Sequence, residues 1–300
     1  MASSSFIPIL DHVVVLVPHS FITSPPSWIT DLFTLYPGGQ HSDGRTENTL
    51  VLFADGSYLE FIAFVPGIDP HKRESHKWGR KQEGTIVDWA VSLALREDAK
   101  SASATATEDR WAEQEKAFHA IQQKVRDAGA GIQYSDLAPG GRNRLDGEEL
   151  KWAISTAEKA DIGVLPFWCL DVTPRHLRVP YTEPGITDHP SGTTGVARVS
   201  FVVETPGDDV DKVRSVYDAL LGKEELESKH SSSWNVETLN GKGLHPASQV
   251  SISVLDDEDS PGLGIELFAK EESPSDHKAV GGKIDGEHFL NFVLVKTSGN

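Results

Sequence analysis

The order strand–helix–strand–strand–strand recurs along this chain, and that recurrence constrains the fold more than any other feature. PILDHVVVLV (8–17) is a β-branched apolar run that predicts a buried strand. Ser24, Pro25 and Pro26 then read as a helix start, with Trp28, Ile29, Leu32, Phe33 and Tyr36 at helical spacing and Pro37-Gly38-Gly39 as its stop. A short strand follows near His41. TLVLFA (49–54) and SYLEFIAFV (57–65), separated by Asp55-Gly56, then read as a hairpin. Residues 66–83 form a polar loop, and the order begins again. TIVDWAVSLA (85–94) is a strand. A helix over about 108–128 carries Trp111, Phe118, Ile121, Val125 and Ala128 on one side, and strands lie near 132–134, 150–157 and 164–172.

A third copy follows the Pro/Thr/Gly-rich segment 173–194. It has a strand at 196–204, a helix near 208–221, strands near 233–239, 249–255 and 263–269, an exposed excursion at 270–286 and a closing strand at 288–296. One such unit leaves a sheet face uncovered, so two must pair around a shared cleft. The expectation is an α+β protein of βαβββ modules. Residues 1–172 hold two modules (8–66 and 84–172) paired around the cleft, 173–194 are a linker, and 195–300 are a third module with an extra C-terminal strand.

Composition narrows the function. Lys and Arg number 28 against 45 Asp and Glu, a formal charge of -17. Such a surface repels phosphate backbones and anionic lipid, so neither nucleic acid nor membrane is the expected partner. The single Cys169 excludes an internal disulfide and any multi-cysteine metal site. It lies in an apolar strand as an inert core thiol. The N-terminal apolar run is interrupted by Asp11 and His12 and lacks a basic flank, so it does not read as a signal peptide. No apolar run approaches the roughly 20 residues of a membrane span. A cytoplasmic protein acting on a small molecule is expected, with a homodimer as one possible assembly.

Alternation then selects candidate site residues. His12, Val14 and Leu16 share one face of the first strand, and Tyr58, Glu60 and Ile62 share one face of the last. In that register Val13, Val15, Val17, Leu59, Phe61 and Ala63 face the module's helix. His12 and Glu60 together offer an imidazole nitrogen and a carboxylate oxygen to a divalent metal. Asp88 matches His12 in the second copy and is a candidate third ligand. In the third copy Arg198 matches His12 and Glu266 matches Glu60, an arrangement that repels a cation. His41 either completes a two-histidine, one-carboxylate set or contacts substrate. GGQHSDGRTENTL (38–50) supplies Arg45, Thr46 and Asn48 as closely spaced donors. GGRNRLDGEELKW (140–152) answers it in the second copy, with Arg142 and Arg144 suited to an anion and Trp152 to a substrate wall. His176 and His189 lie in the linker, where they could cap the pocket. No G-x-S-x-G elbow, dinucleotide fingerprint or P-loop is present.

LDHVVVLV, GGQHSDGRTENTLVLF and DGSYLEFIAF, with RLDGEELKWAIS, LPFWCLD and DHPSG in the second copy, resemble the glyoxalase-like domain family of the vicinal oxygen chelate superfamily. The resemblance covers about residues 8–204. It implies paired βαβββ modules and a divalent metal (Zn, Ni, Mn or Fe) chelating vicinal oxygens of a substrate. His12 and Glu60 fall at the superfamily's ligand positions. Asp88, Phe167 and Cys169 depart from the usual His, Gln or Glu. Three functions follow. One is a metal-assisted lyase, isomerase or hydrolase of a small oxygenated metabolite, with Glu60 and His41 as catalytic groups and Glu60 as general base if unliganded. The second is an iron-dependent ring-cleaving dioxygenase using His12, His41 and Glu60. The third is a metal-free protein that binds or sequesters a small molecule.

Overall fold

The computed structural model describes residues 6–95, 107–144, 146–203, 208–223, 226–227, 231–254, 262–270, 277–285 and 288–297. The fold is α+β and strand-rich, built from repeated βαβββ modules. The first module comprises β1 (Phe6–Leu16), two short helices α1 (His19–Thr23) and α2 (Ser27–Thr30), β2 (Tyr36–His41), β3 (Thr46–Leu52) and β4 (Tyr58–Phe64). After α3 (Pro70–Glu74) the second module has β5 (Thr85–Leu95), α4 (Thr107–Asp127), β6 (Gln133–Tyr134), β7 (Ala138–Asn143), β8 (Glu149–Ser155), β9 (Ala157–Glu158) and β10 (Phe167–Asp171). Eight of these strands close a barrel in the order β1-β4-β3-β2-β7-β8-β10-β5.

Helix α5 (Arg175–Arg178) lies in the connection to the second half. That half contains β11 (Thr193–Val203), α6 (Asp208–Leu221), β12 (Leu226–Glu227), β13 (Ser231–Val236), β14 (Ser248–Val254), β15 (Gly262–Ala269), β16 (His277–Lys283) and β17 (Phe289–Lys296). Its sheet is open, in the order β12-β13-β14-β11-β15-β17-β16. β15 runs antiparallel to β11 and parallel to β17, as β5 runs antiparallel to β1 and parallel to β10.

The alternation of β1 and β4 sorts their side chains into two apolar clusters. Val13, Val15, Val17, Leu59, Phe61 and Ala63 pack outside the barrel with Phe21, Ile29 and Phe33. Val14, Leu16 and Ile62 pack inside it with Trp78, Trp152 and Phe167. The outer cluster runs on into the second half. There Trp89 stacks on Tyr217 at 6.5 Å, Phe33 meets Phe292 edge-on at 5.6 Å, and the Tyr217 hydroxyl donates to the Val164 carbonyl.

Besides the short helices within the expected loop 66–83 and linker 173–194, three stretches differ from the sequence expectation. The stripe Trp28–Tyr36 is not one helix: Pro25-Pro26 separates two short turns, and Tyr36 opens β2. The apolar residues still cover the sheet, because a chain laid across it buries them as a helix would. Residues 138–143, where no strand is expected, are β7, which pairs with β8 along its length. Part of the expected excursion, 277–283, is β16 paired to β17, while 271–276 lie outside the described residues.

Candidate active site

A bulge in the first strand builds the site. Along β1 and β5, Leu10 pairs with Val91 and His12 with Ala90, so Asp11 is one residue too many. Such an insertion bends the strand and re-aims its side chains. Here it lets two consecutive residues meet, with His12 Nδ1 2.6 Å from Asp11 Oδ2. A second bulge on β5 at Val87, between Asp88 and Ile86, answers the first, so Asp88 is related to His12 and Phe167 to Glu60 by the pairing of the two modules.

Asp11 is fully buried and receives both arginines of α5. Arg178 donates from Nη1 and Nη2 to the Asp11 oxygens at 3.0 and 3.1 Å, and from Nε to Asp171 at 2.6 Å. Arg175 also donates to Asp11 and to Asp171. Burial raises the Asp11 pKa, but Arg175, Arg178 and His12 outweigh it and hold the carboxyl well below its ordinary value. A carboxylate that only accepts orients the His12 ring with an N–H at Nδ1 and directs Nε2 inward, toward Glu60. Tyr58 stacks on the imidazole at 4.6 Å, and Phe167 meets it edge-on at 5.4 Å.

His12 Nε2 lies 3.5 Å from Glu60 Oε2, and His41 Nε2 lies 3.6 Å from Glu60 Oε1. Asn48 Nδ2 donates to Glu60 Oε1 at 2.5 Å, while its carbonyl oxygen accepts from Arg142 Nη1 at 3.0 Å. Burial raises the Glu60 pKa, but the two imidazoles, the Asn48 amide and Arg142 together keep it below its ordinary value. Burial lowers the His41 pKa, and Glu60 offsets this only in part. At neutral pH the centre therefore holds an ionised Glu60 beside a neutral His41, whose Nδ1 bonds the Thr46 hydroxyl at 2.8 Å. Two glycines make room. A Cβ at Gly38 would collide with the Asn48 amide, and one at Gly140 with the Trp152 indole.

These groups line a cavity of about 210 Å³. Leu50, Ile62, Trp78, Trp152, Ile154 and Phe167 form its apolar wall. It is smaller than the ~300–1,000 Å³ usual for drug-sized ligands, so it suits a compact molecule.

Of the residues singled out in the sequence, His12, His41, Thr46, Asn48, Glu60, Arg142 and Trp152 line this cavity. Three do not. Asp88 Oδ2 accepts from Lys77 Nζ at 3.1 Å and from the Trp78 indole at 3.0 Å, and Oδ1 accepts from the Trp89 amide, so its carboxylate is already engaged. Arg45 stands off the cavity and turns to Ser75 and Asp43. Arg144 donates to the Leu177 carbonyl and pairs with Asp146. His189 does not cap the cleft: it accepts the Thr34 amide and bonds the Leu52 carbonyl. Asp11, Asp171, Arg175 and Arg178 escaped the sequence reading, although two arginines three residues apart in a linker are a visible signal.

The donor set is right in kind for a metal but not in arrangement. His12 and His41 address opposite oxygens of Glu60. Phe167, the counterpart of Glu60, offers no donor, and Asp88 already holds an ammonium. Among the described residues no three His, Cys, Asp or Glu side chains converge as metal ligands. Among them, too, no helix is long and apolar enough to cross a membrane.

A family model described as a glyoxalase-like domain matches residues 10–221. No curated protein sequence matches the chain. Among solved structures, a hypothetical protein from Staphylococcus aureus aligns with a TM-score of 0.64 at 11% identity, over 97% of this chain and 100% of that one. 2,2',3-Trihydroxybiphenyl 1,2-dioxygenase from Sphingomonas wittichii gives 0.44 at 9% identity, over 96% and 90%. BphC, a halotolerant catechol dioxygenase, gives 0.45 at 10% identity, over 96% and 86%.

Proposed function

Since the chain belongs to the glyoxalase-like domain family and a fold does not fix a reaction, we propose a function from the cleft's own groups. It is a metal-free acid–base site that moves a proton at a carbon beside the carbonyl of a compact oxygenated metabolite, in an isomerase or lyase reaction. The observation that carries this reading is the 2.6 Å contact between Asp11 and His12 Nδ1, with Asp11 clamped by two arginines.

His12 Nε2 takes the proton. The imidazolium so formed is stabilised by Asp11 on one side and Glu60 on the other. His41, kept neutral by burial, serves as a hydrogen-bonding partner for the carbonyl oxygen, and Asn48 and Arg142 hold Glu60 in place. The aromatic wall keeps water from the carbanionic intermediate. His12 then returns the proton to the neighbouring carbon in an isomerisation, or to the oxygen that departs from that carbon in a lyase reaction.

The test is hydrogen–deuterium exchange into small enolisable carbonyl compounds, followed by NMR in deuterium oxide. His12→Asn should slow exchange by about 100-fold or more, the lower range for a positioned acid or base, and chelators should leave the native rate unchanged. Exchange that disappears on chelation and returns with added metal would replace this reading with a metal-assisted one on His12, His41 and Glu60. Tight binding without exchange would make the protein a binding module.

A further inference from the structure

The second module's half of the site is filled by a side chain. Lys77, from the segment that follows α3, extends its ammonium to Asp88, the residue related to His12, at 3.1 Å. The same nitrogen lies 3.6 Å above the ring centroid of Phe167, the residue related to Glu60, and 4.2 Å from that of Trp78. Arg142 and Arg178 also line the cavity but are engaged by Asn48, Asp11 and Asp171; we infer that Lys77, the cation of the second module's half of the cleft, receives the carboxylate of a short functionalised acid whose reacting carbon lies at His12. The inference rests on the acid–base reading above and adds the substrate class.

Several observations support it. Lys77 lines the cavity and its side chain is about a quarter exposed, so the ammonium is reachable from within. Asp88 does not consume it: that carboxylate also accepts the Trp78 indole and the Trp89 amide, and an ammonium has three donors. The aromatic faces of Phe167 and Trp78 hold the charge in position. The segment carrying it, residues 70–83, has Lys72, Arg73, Lys77, Arg80 and Lys81 against Glu74 and Glu83, an excess of positive charge in a chain of net charge -17. An anion approaching the protein is repelled elsewhere and drawn here.

Geometry sets the length of the ligand. The Phe167 ring contacts both groups, its centroid 3.6 Å from Lys77 Nζ and 5.4 Å from the His12 ring centroid. Ammonium and imidazole are therefore at most about 9 Å apart. A charge-assisted hydrogen bond of about 2.8 Å at one end and a proton-transfer contact of about 3 Å at the other leave at most about 3 Å, room for one carbon between carboxylate and reacting centre. The class is a 2-oxo acid, whose C3 lies beside the carbonyl and one carbon away from the carboxylate.

The probe pair is 2-oxobutyrate and its methyl ester, titrated against the full-length protein by tryptophan fluorescence, since Trp78 and Trp152 line the cavity. The native protein should bind the acid at least tenfold more tightly than the ester. Lys77→Met should abolish that preference, Lys77→Arg should keep most of it, and the ester should bind all three alike. Equal affinity for acid and ester in the native protein would overturn the proposal. So would a loss in Lys77→Met that is the same for both ligands, the signature of a merely structural lysine. His12→Asn separates the two readings: it should stop exchange but keep the preference for the acid. A preference for the acid with no exchange in the native protein would sink the acid–base reading and leave Lys77 standing.

Discussion

Asp11→Asn is the sharpest perturbation this fold offers. Asp11, Asp171, Arg175 and Arg178 form a compact cluster whose two negative and two positive charges balance, with Asp11 and Arg178 almost fully enclosed. An amide keeps the shape and removes one charge, stranding a guanidinium. Breaking a buried pair in this way costs about 3–5 kcal/mol, far more than the loss of a surface pair. Urea unfolding at pH 7 should show that loss as a lower midpoint at unchanged slope. The sign with pH follows. The folded Asp11 pKa is depressed, so its contribution is complete above the unfolded value of about 3.9 and is lost as pH falls toward the folded one. The gap between native and variant should be equal at pH 7 and pH 5 and smaller at pH 3. Asp11→Asn combined with Arg178→Met restores charge balance, so the double variant should be more stable than the sum of the single losses by about 0.5–3 kcal/mol. A single-variant loss under about 1 kcal/mol, or strict additivity, would refute the argument that charge balance in the cluster governs stability.

Other outcomes follow from single contacts. Burial lowers the pKa of His76 and of His189 to about 4, so both are neutral in the fold. Stability should be complete above pH 6.5 and decline as pH falls from 6.5 toward 4, and His189→Gln should flatten part of that decline in thermal melts. Gly140→Ala drives a methyl into the Trp152 indole; overpacking of this kind costs about 1–3 kcal/mol, visible as a lower melting temperature and altered tryptophan emission, whereas native-like emission and stability would show that the indole has slack. Burial pushes the Cys169 thiol pKa up, so an aromatic disulfide reagent at pH 8 should leave it unmodified until urea is added, and stoichiometric reaction with the native protein would contradict its enclosure.

Much of the architecture was legible because β-branched alternation carries it. DHVVVLV and YLEFIAF place apolar side chains on both faces of strands enclosed on both sides, and the ionisable groups among them mark the inner face. The glycine-rich segments 38–41 and 140–143 matched in position, and they are the paired strands β2 and β7. What alternation could not carry was a break in alternation. The bulge at Asp11 puts two neighbours in contact where the period of two sends them to opposite faces, so Asp11 read as a strand interruption rather than as the partner of His12. Arg175 and Arg178 were hidden by sequence distance, since a linker's charges gain meaning only from what the chain folds them against. Lys77 lies in the polar segment 66–83 with no local signal of its role, because its place over Phe167 depends on a crossing the sequence does not encode locally.

The joint between β2 and β7 is the shortest ladder in the barrel wall between the two modules, pairing only Gln40 with Asn143 and His41 with Arg142. The other joint between them, β1 with β5, runs almost the full length of both strands. The barrel is thus hinged on one side and clasped on the other, with two of its polar site residues mounted on the clasp. Few backbone bonds therefore hold His41 beside Arg142, in the part of the wall that flanks Glu60. Amide hydrogen exchange should accordingly be faster along this short joint than along the β1–β5 ladder.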